Sequence, residues 1–285
     1  LKARDIYKRI ADDVAGVDAV IVRGPAEFGM MAAKAARRAG KPVAIEMSGC
    51  AFDHSWYHGS ATGRLYAPFK YLRCRHMVKH ADQVIYVTRD FLQRRYPTRG
   101  YTETASNVEI EPPDTAVLEQ RLHKIEQRSS RLVLGMIGNI GNRLKGFDIL
   151  LKALAEVKDQ LPPFELRVLG QGYWQDWQAH IHAYGLSNHV ILDGMRPGGD
   201  PVMAWLDDID IYLQPSFHEG LPRSVIEAMS RGLPVLASDA GGTAELLDEQ
   251  YIHRRGDARA LADALTGLAD SPARQKQAAR ANFER

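Results

Sequence analysis

Short apolar runs alternate with amphipathic stretches along most of the chain. The apolar runs at 18–22, 42–47 and 83–87 have the length of buried strands. Residues 2–14 have apolar side chains four positions apart, which predicts a helix. A second block of the same alternation begins at Leu132. Repeated strand–helix units predict parallel sheets covered by helices on both faces, and two blocks predict two doubly wound α/β domains.

A polar, charged stretch separates the two blocks. Pro112 and Pro113 stop regular structure, and many charged residues follow them. We therefore predict a first domain over 1–118, a linker over 119–130 and a second domain over 131–285. A chain of 285 residues is long enough for two domains of ordinary size.

Composition and charge exclude several classes of protein. Hydrophobic residues make up 45% of the chain and charged residues 25%, which is typical of a globular protein and not of a disordered one. No apolar run is long enough to predict a membrane-spanning helix. A net charge of +2 does not indicate a nucleic-acid partner, although residues 1–118 hold 18 basic and 13 acidic side chains. Cys50 and Cys74 lack metal-ligand spacing and suit a reducing cytosol.

The densest group of candidate functional residues lies at 214–242. An apolar strand ends at Pro215, a short loop follows, and Pro222 opens a helix, as proline at the first helical position does. Ligands bind beyond the carboxyl ends of strands in open α/β sheets, and the amides of a helix N-terminus attract anions. Gly220 lets this backbone approach a ligand closely. The pattern therefore predicts a phosphate site.

Two carboxylates, Glu219 in the loop and Glu227 on the helix, flank the predicted phosphate site. Amides that bind phosphate, beside carboxylates that accept hydrogen bonds from sugar hydroxyls, suit a phosphorylated sugar. The alternative is that Glu219 only complements the helix dipole and that Glu227 is a solvated helix residue. The Pro-Ser before the pair and the Gly-Leu-Pro within it favour the sugar-phosphate hypothesis.

A second candidate phosphate loop, GNIGNRLKG at 138–146, joins the first strand of the second block to the next helix. Three glycines in such a turn suit a phosphate, and Arg143 and Lys145 supply cationic donors. The loop matches neither of the common phosphate-loop motifs, so a plain tight turn is the alternative.

Taken together, these residues resemble the GT-B glycosyltransferases of family GT4. The resemblance covers residues 131–270 and consists of short pieces in matching order. They are Lys145-Gly146-Phe147-Asp148, Leu169-Gly170-Gln171-Gly172, Leu192-Asp193-Gly194, Pro215-Ser216, the Glu219…Glu227 pair with Gly220 and Pro222, and Ser238-Asp239-Ala240-Gly241-Gly242. The resemblance implies two Rossmann-like domains facing across a cleft. It also implies a retaining transferase, with a nucleotide-sugar donor on the second domain and the acceptor mostly on the first.

The resemblance assigns roles to particular residues. Lys145 would neutralise the donor diphosphate and Glu219 would hold the donor sugar near its reacting carbon, so these two are the candidate catalytic residues. Glu227 would accept hydrogen bonds from the ribose. The other implied donor contacts are Gly138, Asn139, Arg143, Gly220 and Leu221 for the diphosphate, and Gly170, Gly194, Met195 and Arg196 for the base. Asn139 stands where the family commonly has arginine, so either Arg143 supplies that charge or the site has one cation fewer.

The first block is similar to the GT4 enzymes that build surface polysaccharides. The matching segments are GCAFDHSWYHG at 49–59, YLRCRHMVKHADQVIYVT at 71–88, FLQRRYP at 91–97 and SNVEI at 106–110. His54 and Trp56 are the implied acceptor-side residues, with a structural or solvated histidine as the alternative. The family pattern also implies that the first βα units of this domain and the last helix of the second are missing. We therefore expect a fragment.

Residues 64–80 form a predicted basic helix. Lys70, Arg73, Arg75 and Lys79 are interleaved with apolar side chains along it. A solvated face is one interpretation, and docking to an anionic membrane surface is the other. The resemblance implies a glycan or lipid-linked acceptor, which agrees with a cytoplasmic protein bound peripherally to the inner face of the cell membrane.

Neither a metal nor a cofactor other than the donor is predicted. Asp208-Ile209-Asp210 has the D-x-D form of metal-dependent glycosyltransferases of another fold, but it opens an apolar strand. The predicted function is transfer, with retention, of a sugar from a UDP- or GDP-sugar to a hydroxyl of a growing glycan. The alternatives are a nucleotide-sugar epimerase or hydrolase of the same fold and a non-catalytic subunit that binds the donor.

Overall fold

A computed structural model gives the structure of residues 3–127 and 131–285. The chain forms two compact units, which consist of the residues up to Asn107 with His218–Leu221, and of Val108–Phe217 with Pro222–Arg285. Each unit is built around a parallel sheet with helices packed on it, so the predicted α/β class is confirmed.

In the described part of the chain, the first unit has a four-stranded parallel sheet. Its strands are β1 (Val20–Gly24), β2 (Val43–Met47), β3 (Gln83–Tyr86) and β4 (Tyr101–Thr104). Its helices are α1 (Ala3–Ala15), α2 (Glu27–Arg38), α3 (Ala51–Tyr57), α4 (Ala61–Lys79) and α5 (Phe91–Arg95). The strands are adjacent in chain order, β1-β2-β3-β4. Because crossovers between parallel strands are right-handed, successive crossover helices pack on the same face of such a sheet.

The two faces of the first sheet differ in burial. Val22, Ile45 and Val84 are buried in a core that includes side chains of α2 and α4. On the other face Ile21 is 82% exposed, and Ile85 is exposed as well. The sequence pattern predicts helices on both faces, whereas the described residues cover one face, because the order of the strands never reverses.

The helix α4 covers the predicted basic helix over 64–80 except for its last residue. It begins after Ser60, whose Oγ accepts a hydrogen bond from the amide of Gly63 at 3.0 Å. Serine is a favoured residue at this capping position because its side chain satisfies an amide that the first turn leaves unpaired. Neither α4 nor any other helix within the described residues is long and apolar enough to cross a membrane.

The second unit has a six-stranded parallel sheet in the residues that the structure describes. Its strands are β5 (Leu132–Ile137), β6 (Phe164–Leu169), β7 (Val190–Gly194), β8 (Ile211–Gln214), β9 (Val235–Ser238) and β10 (Ile252–His253). Its helices are α6 (Thr115–Gln127), α7 (Phe147–Val157), α8 (Trp174–Ala183), α9 (Asp200–Asp208), α10 (Arg223–Ser230), α11 (Ala258–Ala269) and α12 (Pro272–Phe283).

The order of the strands reverses in the second sheet, which reads β10-β9-β8-β5-β6-β7. The chain starts in the middle at β5, moves outward to β7, and returns to β8 on the other side of β5. The loops that leave β5 and β8 therefore run in opposite directions, and this point is where open α/β sheets bind ligands. Leu134, Met136, Ile211 and Leu213 are buried beneath that edge and hold the strands in place.

The helix α6 occupies most of the segment predicted as the linker 119–130, of which 128–130 lie outside the described residues. Its charged side chains are used structurally. Buried Arg121 donates hydrogen bonds to the carbonyl oxygens of Leu206 at 3.0 Å and Arg231 at 3.2 Å, and also to that of Ile209. Cations beside the last carbonyls of a helix satisfy groups that have no partner within the helix. A charged residue of the segment that we predicted to be a linker therefore anchors α6 to the second unit.

Replacing Arg121 with methionine should lower the free energy of unfolding by about 3 kcal/mol, because buried carbonyl groups lose a charged donor. Urea denaturation followed by circular dichroism measures this loss. Arg259→Met is the matched control, because Arg259 pairs with acidic side chains at the surface, and its loss should cost less than about 1 kcal/mol. Equal losses in both variants would contradict the anchoring role of Arg121.

Candidate functional site

Loops at the carboxyl edge of the second sheet are joined by backbone hydrogen bonds. The amide of Gly138, after β5, donates to the carbonyl of Leu169 at 2.9 Å. The amide of Gly170, after β6, donates to the carbonyl of Gly194 at 2.7 Å. The structure therefore brings together residues that the sequence assigns to the diphosphate and to the base.

The side chain of Lys145 lies across Gly138. A Cβ atom placed on Gly138 would be 2.9 Å from Cγ and 3.2 Å from Cδ of Lys145, so a larger residue would push the lysine stem away. Lys145 and Gly138, which are both predicted to contact the diphosphate, are therefore neighbours. Gly138 and Lys145 are close together because the loop between β5 and α7 turns back on itself.

The loop after β5 is also joined to the loop after β8. The amide of Phe217 donates to the carbonyl of Leu144 at 2.8 Å. Gly146 has a φ of 69°, and a Cβ atom on it would overlap the carbonyl oxygen of Pro215. Only glycine suits this left-handed turn at so close an approach. Lys145 precedes the turn, so the contact between the two loops fixes the position of the Lys145 backbone.

Arg143 and Asn139 both interact with neighbouring groups of the second unit. The guanidinium of Arg143 donates to Oδ2 of Asp148 at 3.0 Å and lies 5.5 Å from the ring centroid of Phe217. Oδ1 of Asn139 accepts a hydrogen bond from the amide of Gly141 at 2.8 Å. The charge of Arg143 is thus balanced by a carboxylate, and its role as a replacement for the missing family arginine stays a prediction.

A buried polar network supports the end of β8, and the sequence analysis did not identify it. Tyr212 donates to Oε1 of Gln214 at 2.6 Å, and Nε2 of Gln214 donates to Oγ of Ser216 at 2.9 Å. Ser224 on α10 also donates to Oε1 of Gln214, at 3.2 Å. The network ties the strand end to the first turn of α10. The signal in the sequence is a glutamine inside an otherwise apolar strand.

Glu227 lies on α10, one turn beyond this network, and is half-buried. Burial raises the pKa of its carboxyl above the usual value, while Arg223 on the same helix lowers it by a smaller amount. Both effects are expected, because burial disfavours a charge and an opposite charge favours it. A half-buried carboxylate on the first helix after β8 agrees with the predicted contact to ribose hydroxyls.

The predicted base-contacting segment follows β7. Gly194 is the last residue of that strand and accepts the hydrogen bond from Gly170. Met195 is largely exposed, and Arg196 donates to the carbonyl of Pro201 at 3.4 Å. An exposed apolar side chain beside these glycines provides a surface on which a planar base could pack. Contact with the base stays a prediction.

The loop His218–Leu221 groups with the first unit. Leu221 packs against the first core, and Gly220 lies against the backbone of Ser48. Glu219 is only 8% exposed. The sequence places this loop beside the phosphate amides of α10, whereas the structure groups it with the first unit. Its predicted roles in holding the donor sugar and the diphosphate stay predictions.

The two predicted acceptor-side residues lie on α3. The ring of His54 is 5.4 Å from that of His218 and 5.9 Å from that of His58. Trp56 is partly exposed and stacks on Phe52 at 5.3 Å. His54 is therefore brought beside the loop that contains Glu219, while Trp56 packs on its own helix.

The Asp208-Ile209-Asp210 segment is used structurally. Oδ2 of Asp210 accepts a hydrogen bond from the amide of Val133 at 2.8 Å, and its Oδ1 pairs with Lys124 at 3.1 Å. Asp210 is buried, so this carboxylate at the start of the strand is shielded from solvent. Across residues 3–127 and 131–285, no three His, Cys, Asp or Glu side chains are grouped so as to hold a metal ion. Independence from metals stays a prediction.

Residues 131–271 match the model of the family described as glycosyl transferases group 1. The resemblance predicted for 131–270 is therefore confirmed. Protein CapJ of Staphylococcus aureus is 29% identical over 258 residues, which cover 90% of this chain and 64% of CapJ. Amylovoran biosynthesis glycosyltransferase AmsK of Erwinia amylovora is 33% identical over 139 residues, which cover 45% of this chain and 34% of AmsK. The chain spans less than two thirds of the length of either relative.

The crystal structure of Anabaena HepE in complex with UDP-glucose is similar in fold. It aligns over 98% of this chain and 76% of that chain, with a TM-score of 0.69 and 20% sequence identity. The predicted GT-B class is thereby confirmed.

Lys145→Ala should weaken binding of a nucleoside diphosphate by about tenfold or more, because a charge-assisted contact is worth roughly 1.5–3 kcal/mol. Isothermal titration of UDP and GDP into the chain measures the change. Lys152→Ala removes an exposed lysine of α7 and serves as the control. Unchanged affinity in a folded Lys145→Ala protein would remove Lys145 from the diphosphate site.

As the pH falls, nucleotide affinity should begin to decrease at a higher pH than it would if Glu227 had the pKa of an ordinary glutamate. The raised pKa of Glu227 means that its carboxylate is protonated, and loses acceptor capacity for ribose hydroxyls, earlier as the pH falls. Titrations of UDP between pH 5 and 8 should show this dependence in the wild-type protein and a flatter one in Glu227→Gln. The phosphate titrates equally in both proteins, so parallel profiles would contradict the assignment.

Proposed function

We propose that this chain, whose residues 131–271 belong to group 1 of the glycosyltransferases, is a retaining glycosyltransferase of surface polysaccharide synthesis. It would transfer a sugar from a nucleoside-diphosphate sugar to a hydroxyl of a growing glycan. One observation carries the proposal. Gly138, Lys145 and Gly170 meet where the strand order of the second sheet reverses, which is the position at which such sheets bind ligands.

The donor diphosphate is placed on the loop after β5. Negative charge grows on the leaving phosphate as the bond to the sugar breaks. The stem of Lys145 is fixed before reaction by its contact with Gly138 and by the contacts between loops, so the lysine can stabilise this charge with little reorganisation. Glu227 accepts hydrogen bonds from the ribose, and the exposed side chain of Met195 packs against the base. HepE was solved with UDP-glucose, so a UDP-sugar is the first donor to test.

The reaction exchanges one bond for another at the anomeric carbon. The bond from this carbon to the leaving phosphate breaks, and a bond to the acceptor oxygen forms on the same face. The acceptor hydroxyl gives its proton to the leaving phosphate, so no side chain is needed as a base. Glu219 holds the donor sugar as the bond breaks. Its near-complete burial suits this role, because a dry carboxylate interacts strongly with hydroxyl groups and with developing positive charge.

A membrane surface is the proposed location of the acceptor. Leu65 is 84% exposed, Phe69 56% and Leu72 62%, and the three side chains follow one another along α4. Spacings of four and three residues place them on one side of the helix. We name Leu65, Phe69 and Leu72 the apolar stripe. Exposed apolar side chains on a helix that is also rich in lysine and arginine suit peripheral contact with the inner face of an anionic membrane.

Glu219→Gln should lower kcat by about tenfold or more with little change in the KM for the donor, because contacts that strengthen in the transition state act on kcat. The assay follows UDP release and product formation from a UDP-sugar with an acceptor glycan. Glu249→Gln, at an exposed position, is the control. Wild-type kcat with a slightly lower melting temperature would reduce Glu219 to a helix-dipole partner.

The same assay separates the alternative functions. Release of free sugar, or conversion of the donor without any acceptor, would identify a hydrolase or an epimerase. Donor binding without turnover under every condition would identify a non-catalytic subunit.

A further inference from the structure

A cavity lies in the first unit, beside the loop that joins α3 to α4. Its volume is about 340 Å³, and it is open to solvent between the end of α3 and the start of α4. The side chains that can bind a ligand there are His54, His58, Ser60, Thr62 and Lys70. We name this cavity the basic pocket. It is large enough for a phosphate or a diphosphate group.

The charge of the basic pocket has one sign. His54, His58 and Lys70 are basic, and none of the described residues that line the cavity is acidic. Burial is the main cause that lowers the pKa of His54, and the nearby Lys70 and His58 lower it further. An anion bound among these groups would offset the effect, because an opposite charge favours the protonated form of a histidine.

The carboxylate of Glu27, beside the cavity, is already paired. Tyr66, which also lines the cavity, donates its hydroxyl to Oε1 of Glu27 at 3.1 Å. Oε2 of Glu27 forms an ion pair with Arg73 at 3.0 Å. Glu27 is therefore paired with Arg73 and not with Lys70.

Neutral hydrogen-bond donors add to the basic side chains. The hydroxyls of Ser60 and Thr62 lie at the first turn of α4 and line the same cavity. The positive end of the helix dipole points the same way and adds to the attraction of an anion. Hydroxyls and ammonium groups together are typical ligands of phosphate oxygens.

The apolar stripe is the neighbour of the basic pocket on α4. Tyr66 and Lys70 line the pocket, and Leu65 and Phe69 each precede one of them by a single residue. One residue corresponds to about 100° around a helix, so the pocket and the stripe lie on adjoining sides of α4. The ring centroids of Tyr66 and Phe69 are 5.6 Å apart, which confirms the contact.

We propose that the basic pocket binds the phosphate or diphosphate group of an amphiphilic acceptor and that the apolar stripe binds its hydrocarbon chain. The identification of this ligand as the acceptor rests on the proposed function. His54 contacts His218, and Glu219 follows His218 in the chain, so a glycan attached to the phosphate would begin beside the loop proposed to hold the donor sugar.

Binding is tested with geranyl diphosphate, inorganic pyrophosphate and geraniol on the full chain by isothermal titration. Lys70→Met should weaken binding of both diphosphates by about tenfold or more, whereas Lys79→Met, at an exposed position of the same helix, should not. Phe69→Ser should weaken the binding of geranyl diphosphate and leave the binding of pyrophosphate unchanged. His58→Gln, at an exposed position, repeats the test of the charge if Lys70→Met fails to fold.

A diphosphate could also bind at the loop that holds Lys145, and Lys145→Ala distinguishes the two places. Binding that survives in Lys145→Ala and is lost in Lys70→Met or His58→Gln supports the proposal. Binding lost only in Lys145→Ala, or no binding of either diphosphate to the wild-type chain, overturns it. Equal affinity for geranyl diphosphate and pyrophosphate overturns the role of the stripe. Because these titrations need no turnover, a protein that binds the probes but transfers no sugar would contradict the proposed function alone.

Discussion

The second unit depends on the close approach of two backbone loops where its strand order reverses. The hydrogen bond from the amide of Phe217 to the carbonyl of Leu144 closes this approach, and Gly146 makes it sterically allowed. Lys145 stands between these two contacts in the chain, so its direction across Gly138 is set by backbone geometry. A site fixed in this way is preorganised, and preorganisation is what makes a cation effective against a charge that develops during reaction.

Most of the basic side chains near the second sheet stabilise the protein itself. Arg121 caps carbonyl groups, Arg143 is balanced by Asp148, and Arg167 pairs with Asp193 at 2.9 Å. Each is therefore less able to bind an anionic ligand than its formal charge suggests. The same distinction applies to carboxylates, since buried Asp210 accepts a backbone amide and pairs with Lys124.

The first unit shows how one helix can serve two kinds of chemistry. Basic and apolar residues are interleaved along α4, and the helical period sorts them onto adjoining sides. One side forms part of a cavity with basic walls, and the next exposes large apolar side chains. An amphiphile with an anionic head matches this arrangement better than a free sugar or a free hydrocarbon does.

The sequence by itself determined the alternation of strands and helices, the glycine loops after β5 and β8, and the resemblance of residues 131–270 to a glycosyltransferase family. These features depend on apolar runs and on glycine, whose effects are local. The tertiary structure alone decided that the linker 119–130 is largely helix, that His218–Leu221 packs with the first unit, and that Asp148 balances Arg143. It also decided the burial that raises the pKa of Glu227. These properties depend on which distant segments come into contact, and neither hydrophobic period nor charge count contains that information.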